Sequence, residues 1–169
     1  MSDLRPAIVL VAPEHREVLE SQFGRYAAEY DLRSVGGLLA AKALTAQLHE
    51  VGVPVALFVV ESQLPDAEPI QAVAVLRAVE PTSRRIIVSP MGRFAAEGPA
   101  LRGGMVTGKY DAFLLLPRGV RDEEFHSAVV ELLNDWGSTV VAPSLEAVRV
   151  VTPGDEPLTP ALVDYLQRA

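Results

Sequence analysis

The chain of 169 residues contains no cysteine. That excludes disulfides, thiol redox chemistry and thiolate metal sites. Glycine pairs occur at Gly36-Gly37 and Gly103-Gly104, but neither supplies the GxGxxG spacing of a dinucleotide fingerprint. No cofactor is therefore expected. Basic residues are few, 15 against 22 acidic for a net charge of −7, and they form no cluster. A nucleic-acid partner would want a basic face. The three histidines, His15, His49 and His126, fall on three different expected helices. Nothing at metal-ligand spacing pairs them, so no metal is expected and all three read as surface residues. No apolar run approaches the roughly 18 residues that cross a bilayer. MSDLRP at the N-terminus is acidic and polar rather than signal-like. The expectation is a cytoplasmic protein with no membrane contact.

What the chain has is apolar residues, 49 % of the total, enough to bury a core. The most informative stretch is PVALFVVESQLP, Pro54–Pro65. A short β-branched run without alternation reads as a strand buried on both faces of a parallel sheet. It stops at Glu61. Ligands of open parallel sheets collect beyond the carboxyl ends of the strands. Further strands are expected at Ala7–Val11, Asp31–Val35, Arg84–Ser89 and Asp111–Leu116. Helices are expected from Glu14, with Leu19, Phe23, Tyr26 and Tyr30 on one face, and over Leu38–Val51, Pro69–Glu80 and Arg121–Trp136. Phe94–Arg102 reads as a weak helix, because glycine and proline crowd it. Strands alternating with helices predict a doubly wound α/β domain over residues 1–136. Past Trp136 the pattern changes. Residues 137–169 read as a linker and a βα extension that is too small to fold alone.

These strand ends resemble the receiver domain of bacterial response regulators over roughly Ala7–Trp136. Receivers carry an acidic pair after the first strand and a phosphoaccepting Asp after the third, followed by a Pro-containing loop. Ser or Thr follows the fourth strand and Lys-Pro the fifth, with an aromatic three residues before the Lys. The matching positions here are Ala12 and Pro13, Glu61 with Pro65, Ser89, and Leu116-Pro117 with Phe113. The resemblance implies a flavodoxin-like five-stranded sheet in the order 2-1-3-4-5, with helices on both faces. It also implies a cis peptide bond before Pro117.

Most of the phosphorylation chemistry is missing from those positions. Phosphoryl transfer to a carboxylate needs Mg²⁺ held by oxygen ligands and a cation on the product. Ala12 and Pro13 offer no side-chain oxygen, Glu14 comes one position late, and Leu116 cannot pair with a phosphoryl group. Ser89 is followed at once by Pro90, and Phe113 has no hydroxyl. A narrower resemblance lies in GVPVALFVVESQLP, YDAFLLLP and LLNDWGS. These are similar to the receiver segment at the N-terminus of fused thioredoxin-reductase-like flavoproteins. VRVV and LTPALVDYLQRA look like the opening strand and helix of the glutaredoxin-like segment that follows it. The resemblance implies a non-enzymatic regulatory module with a protein partner, a flavin-dependent reductase in cis or in trans, or a second copy of the chain.

Each candidate residue also has a plainer reading. Glu61 is a fixed charge imitating a phosphorylated state, part of a ligand site, or a solvated carboxylate at a decayed site. Ser89 and Phe113 are either switch remnants or a strand-end hydroxyl and a core ring. Phe94, Met105 and Phe113 are the candidates for partner binding, on the surface that receivers use. Two rivals stay open. In one, Ala12, Ser62, Ser89 and Leu116 form a weakly charged pocket for a metabolite. In the other, Glu61 works with Glu14 and Mg²⁺ as a phosphoacceptor. Arg84-Arg85 reads as a solvated strand start.

Overall fold

The computed structural model describes residues 4–119 and 122–140. Five parallel strands, β1 (Ala7–Val11), β2 (Asp31–Val35), β3 (Val55–Glu61), β4 (Arg84–Ser89) and β5 (Ala112–Leu115), form one sheet in the order β2-β1-β3-β4-β5. The helices are α1 (Arg16–Phe23), α2 (Leu38–Glu50), α3 (Pro69–Val79), α4 (Met91–Val106) and α5 (Glu123–Val140). The alternation of strands and helices is the one expected from the sequence pattern, and the flavodoxin-like order is the one the receiver resemblance implied. All five residues of β1 and all seven of β3 are buried, as central parallel strands require.

Each strand feeds two cores. Ala7, Val9, Val11, Val60 and Ile87 pack under α2, α3 and α4 with Leu38, Leu76 and Leu101. Ile8, Leu10, Val59 and Val88 pack under α1 and α5 with Phe23, Phe125 and Trp136. On β3 the alternation slips. Ala7 pairs with Val55 but Ile8 pairs with Leu57, so a bulge falls at Ala56. Ala56 and Leu57 consequently face the same core. One extra residue inverts the phase of everything after it. The bulge thus puts Leu57, Val59 and Glu61 on the α1 side, and Val60 and Ser62 on the α3 side.

Several boundaries differ from the sequence reading. α4 starts at Met91 and runs to Val106, with Pro99 inside it. Its glycines are used for packing: a Cβ on Gly104 would lie 2.7 Å from the Tyr110 ring, and the Tyr110 hydroxyl donates to the Leu101 carbonyl. The buried Tyr110 therefore holds a helix of poor intrinsic propensity in place. α1 is shorter than expected, and Tyr26 closes a 3₁₀ turn, Gly24–Tyr26. Residues 137–140, read as the start of a linker, continue α5. The βα extension expected beyond them lies outside the described residues. The bond before Pro117 is trans rather than cis, as is every other peptide bond among the described residues. Trans is the intrinsically favoured form by ~0.5–1 kcal/mol. The Leu116 N–H extends the β4–β5 ladder to the Ser89 carbonyl at 2.8 Å.

Candidate functional site at the strand ends

The carboxyl ends of β1, β3, β4 and β5 converge, and Glu61 lies at their centre. The bulge-set phase points it toward the start of α1. Its carboxylate accepts the backbone N–H of His15 at 2.7 Å and of Glu14 at 3.2 Å, one on each oxygen. His15 Nδ1 stands 3.5 Å from Oε2. Glu61 is only 2 % exposed. A buried carboxylate accepting two N–H groups at a helix entry is satisfied by fixed donors. The reading of Glu61 as a solvated carboxylate is thereby corrected: it ties the β1–α1 connection to the end of β3.

Ala12 and Pro13 precede that connection. Ala12 is buried in the core under α1 and α5, and Pro13 is exposed. Leu116 packs into the same core as Ala12. Ser89 points to the opposite side of the sheet. It donates to Glu97 Oε2 at 2.5 Å. Ser62 lies on that side too. The four residues Ala12, Ser62, Ser89 and Leu116, expected to share one pocket, are therefore divided between the two faces of the sheet.

Arg93 and Glu97, one helical turn apart on α4, were not singled out by the sequence. The Arg93 guanidinium reaches Glu14 at 3.0 Å, the Gln63 carbonyl oxygen at 3.0 Å and Glu97 at 3.7 Å. The Gln63 amide donates to Glu97 Oε1 at 3.3 Å. One cation thus latches the β1–α1 loop, the β3–α3 loop and α4 together. Burial pushes the Glu97 carboxyl up. The Ser62, Ser89 and Gln63 side chains and the Arg93 charge outweigh it, holding Glu97 below the usual carboxylate range. The Ser62 hydroxyl faces this carboxylate but is buried without closing a hydrogen bond of good geometry. The signal that sequence alone carried was the i, i+4 spacing of Arg93 and Glu97.

The β3–α3 loop is fixed from its other end. Asp66 accepts the N–H groups of Leu38 and Leu39, both at 2.9 Å, capping α2 from 28 residues away. Gly37 at the cap position has no side chain to do so, and a Cβ there would sit 2.7 Å from Asp66 Oδ1. Those two backbone bonds hold the Asp66 carboxyl below its ordinary value.

Glu14, His15 and Glu61 can each bring one ligand atom within 4.8 Å of the others. His15, His49 and His126 lie at or on three different helices, as expected. The reading of all three as surface residues fails at His126, which is 2 % exposed. His126 Nε2 donates to Gln22 Oε1 at 3.1 Å, so Nδ1 accepts from the Tyr26 hydroxyl at 2.7 Å. Burial pushes the Tyr26 hydroxyl up to about 12, which keeps it a donor. His49 pairs with Glu80 at 2.7 Å. Arg85 is also buried: it donates to the Ser83 carbonyl and pairs with Asp111 at 3.6 Å, rather than marking a solvated strand start.

Of the residues expected to bind a partner, Phe94 and Phe113 stack on each other, centroids 4.5 Å apart and planes 8° from parallel. Both are half-buried, and Met105 is 42 % exposed. Leu101, on the same helix, is buried.

No family model and no curated protein matches this sequence. Solved structures do match its fold. A signal receiver domain of an HD domain-containing protein from Pseudomonas fluorescens Pf-5 is 19 % identical, with TM-score 0.63, covering 82 % of this chain and 94 % of that one. A CheY-like response regulator receiver protein from Methanospirillum hungatei JF-1 is 14 % identical, with TM-score 0.60, over 80 % and 98 %. An adenylate cyclase structure from Rhodopirellula baltica is 13 % identical, with TM-score 0.64, over 80 % and 93 %. The chain has the receiver-domain fold. No described helix is long and apolar enough to cross a membrane.

Proposed function

We propose that this chain is a receiver-type regulatory module that works without phosphorylation and acts by protein–protein recognition, not as an enzyme. The observation that carries the reading is Glu61. Both of its oxygens are taken up by backbone N–H groups, and it is buried. An attacking carboxylate would have to break those bonds and turn out of the core. The surroundings oppose a phosphodonor as well. Among the described residues, Glu14, Glu61 and Glu97 bring carboxylates to the strand ends, and the Arg93 guanidinium is already shared among Glu14, Gln63 and Glu97.

The donor set also does not fit Mg²⁺. This hard ion demands near-ideal octahedral oxygen coordination. Here Glu61 faces fixed N–H donors, Glu14 is drawn off to Arg93, and the third available group is an imidazole. In this reading the strut from Glu61 to the α1 entry and the Arg93 latch hold one conformation. The Phe94–Phe113 stack with Met105 is the recognition surface. The partner class follows from the resemblance of GVPVALFVVESQLP and YDAFLLLP: a thioredoxin-reductase-like flavoprotein, in cis or in trans, with a homodimer as the alternative, in the cytoplasm.

Intact-mass measurement after incubation with acetyl phosphate and Mg²⁺ tests the reading. An unmodified mass is expected. A Mg²⁺-dependent phosphoryl adduct mapped to Glu61 would overturn it.

A further inference from the structure

Beside the strand ends the fold encloses a cleft of about 450 Å³, between the β3–α3 loop, the first turn of α3 and α4. That volume lies within the range of small-ligand sites. Its apolar wall is Leu64, Ile70, Ala100 and Leu101, and its polar groups include Ser62, Glu97 and Glu68. Among the described residues, no lysine or arginine lines it. The Ser62 side chain in its wall is 5 % exposed, and its hydroxyl is buried against the Glu97 carboxylate. Asp66 pins the loop that forms one wall, and Tyr110 pins the helix that forms the other. The cleft is thus a built feature with the Glu97 carboxylate at its polar end.

We propose that the cleft binds a small organic cation: an ammonium group on an apolar body, paired with Glu97, the body lying on Leu64, Ile70 and Leu101. The charge decides the class. An ammonium brings only donors, and the Glu97 carboxylate brings only acceptors. An anion would meet two carboxylates, Glu97 and Glu68. The uncapped first turn of α3 offers an anion only about half a unit charge in return. The Arg93 guanidinium beside Glu97 is engaged with Glu14 and Gln63.

Occupancy has a route to the rest of the site. Glu97 holds the Ser89 hydroxyl at the end of β4, and Arg93 joins Glu97 to Glu14 beside Glu61. A ligand cation on Glu97 competes with Arg93 for that carboxylate and loosens the latch. The ligand thereby takes the regulatory place that a phosphoryl group holds in other receivers. This proposal is independent of whether Glu61 accepts phosphate, and an adduct at Glu61 would leave it standing.

Two-dimensional ¹H–¹⁵N spectra of the full chain, titrated separately with hexylammonium, hexanol and hexanoate, test it. Hexylammonium is expected to move the amides of Ser62, Ile70, Glu97 and Leu101 saturably, together with Ser89. Hexanoate should not. Glu97→Gln should weaken hexylammonium about tenfold or more while leaving hexanol unchanged, the loss expected for one charge-assisted bond. Ala100→Trp, at an exposed backbone position on the cleft rim, should block both. The proposal is overturned by any of three results: hexanoate binding as tightly as hexylammonium, no saturable shift at these amides, or unchanged hexylammonium affinity in a natively folded Glu97→Gln chain.

Discussion

The Glu61 carboxylate accepts the His15 backbone N–H at 2.7 Å across 46 residues of sequence. In a receiver fold the end of β3 is where chemistry is expected. Here the carboxylate joins two connections instead. Removing it leaves two N–H groups at the α1 entry unpaired. Glu61→Ala should cost about 1–3 kcal/mol per buried group left unsatisfied, read as a fall in the urea midpoint. Glu61→Asp is one methylene short of the same donors and should be intermediate, despite restoring the residue type of a phosphoacceptor.

The Gly37–Asp66 pair predicts a change in the effect of one substitution with its background. Asp66→Ala removes the cap of α2 and should cost about 0.5–2 kcal/mol. Gly37→Ala places a Cβ 2.7 Å from Asp66 Oδ1, so it should displace the cap and cost a similar amount. Gly37 is fully extended, with φ −179°, so alanine fits the backbone. In the Asp66→Ala background, Gly37→Ala should therefore be nearly neutral. Urea unfolding of the four chains in a double-mutant cycle measures this coupling.

His126 predicts acid sensitivity. Burial, with Arg25 adding to it, holds its imidazole below the ordinary value of 6.5. The unfolded chain therefore binds a proton that the folded chain refuses. The stability this group contributes is complete above 6.5 and is lost as pH falls from there through the lower folded value. His126→Gln should flatten that part of the curve. Unfolding midpoints between about pH 7 and about pH 5 give the comparison.

The Arg93 latch predicts a local loosening with little loss of fold. Arg93→Ala frees Glu14 and Gln63, both exposed, so stability should change by about 1 kcal/mol or less. Hydrogen exchange should nevertheless quicken at the first turn of α4 and in the β3–α3 loop, where the latch acts. Equal protection in the two chains would contradict the latch.

Much of this fold was legible because buried strands need apolar runs. AIVLV, VALFVVE and RRIIVS delimit β1, β3 and β4 as observed. The alternation with helices gave the doubly wound class, and the strand order came from the receiver resemblance. α4 was legible only in part, because Gly98, Pro99, Gly103 and Gly104 argue against a helix that Tyr110 and tertiary packing enforce. The direction of Glu61 was not legible at all. It depends on the bulge at Ala56, which no turn residue marks, and a shift of one residue exchanges the faces of the sheet. His126 was read as exposed because its partners, Tyr26 and Gln22, lie 100 and 104 positions away in the chain. The separation of Ala12 and Leu116 from Ser62 and Ser89 likewise depends on tertiary register.

The most direct test of the central claim is the ¹H–¹⁵N spectrum of the chain with Mg²⁺ and beryllofluoride, read at the Glu14 and His15 amides. If Glu61 is a fixed strut, both amides stay where they are and no Mg²⁺-dependent species appears. Saturable displacement of those two amides only when Mg²⁺ and beryllofluoride are both present would mean that Glu61 leaves them for a phosphoryl-like group, contrary to the account.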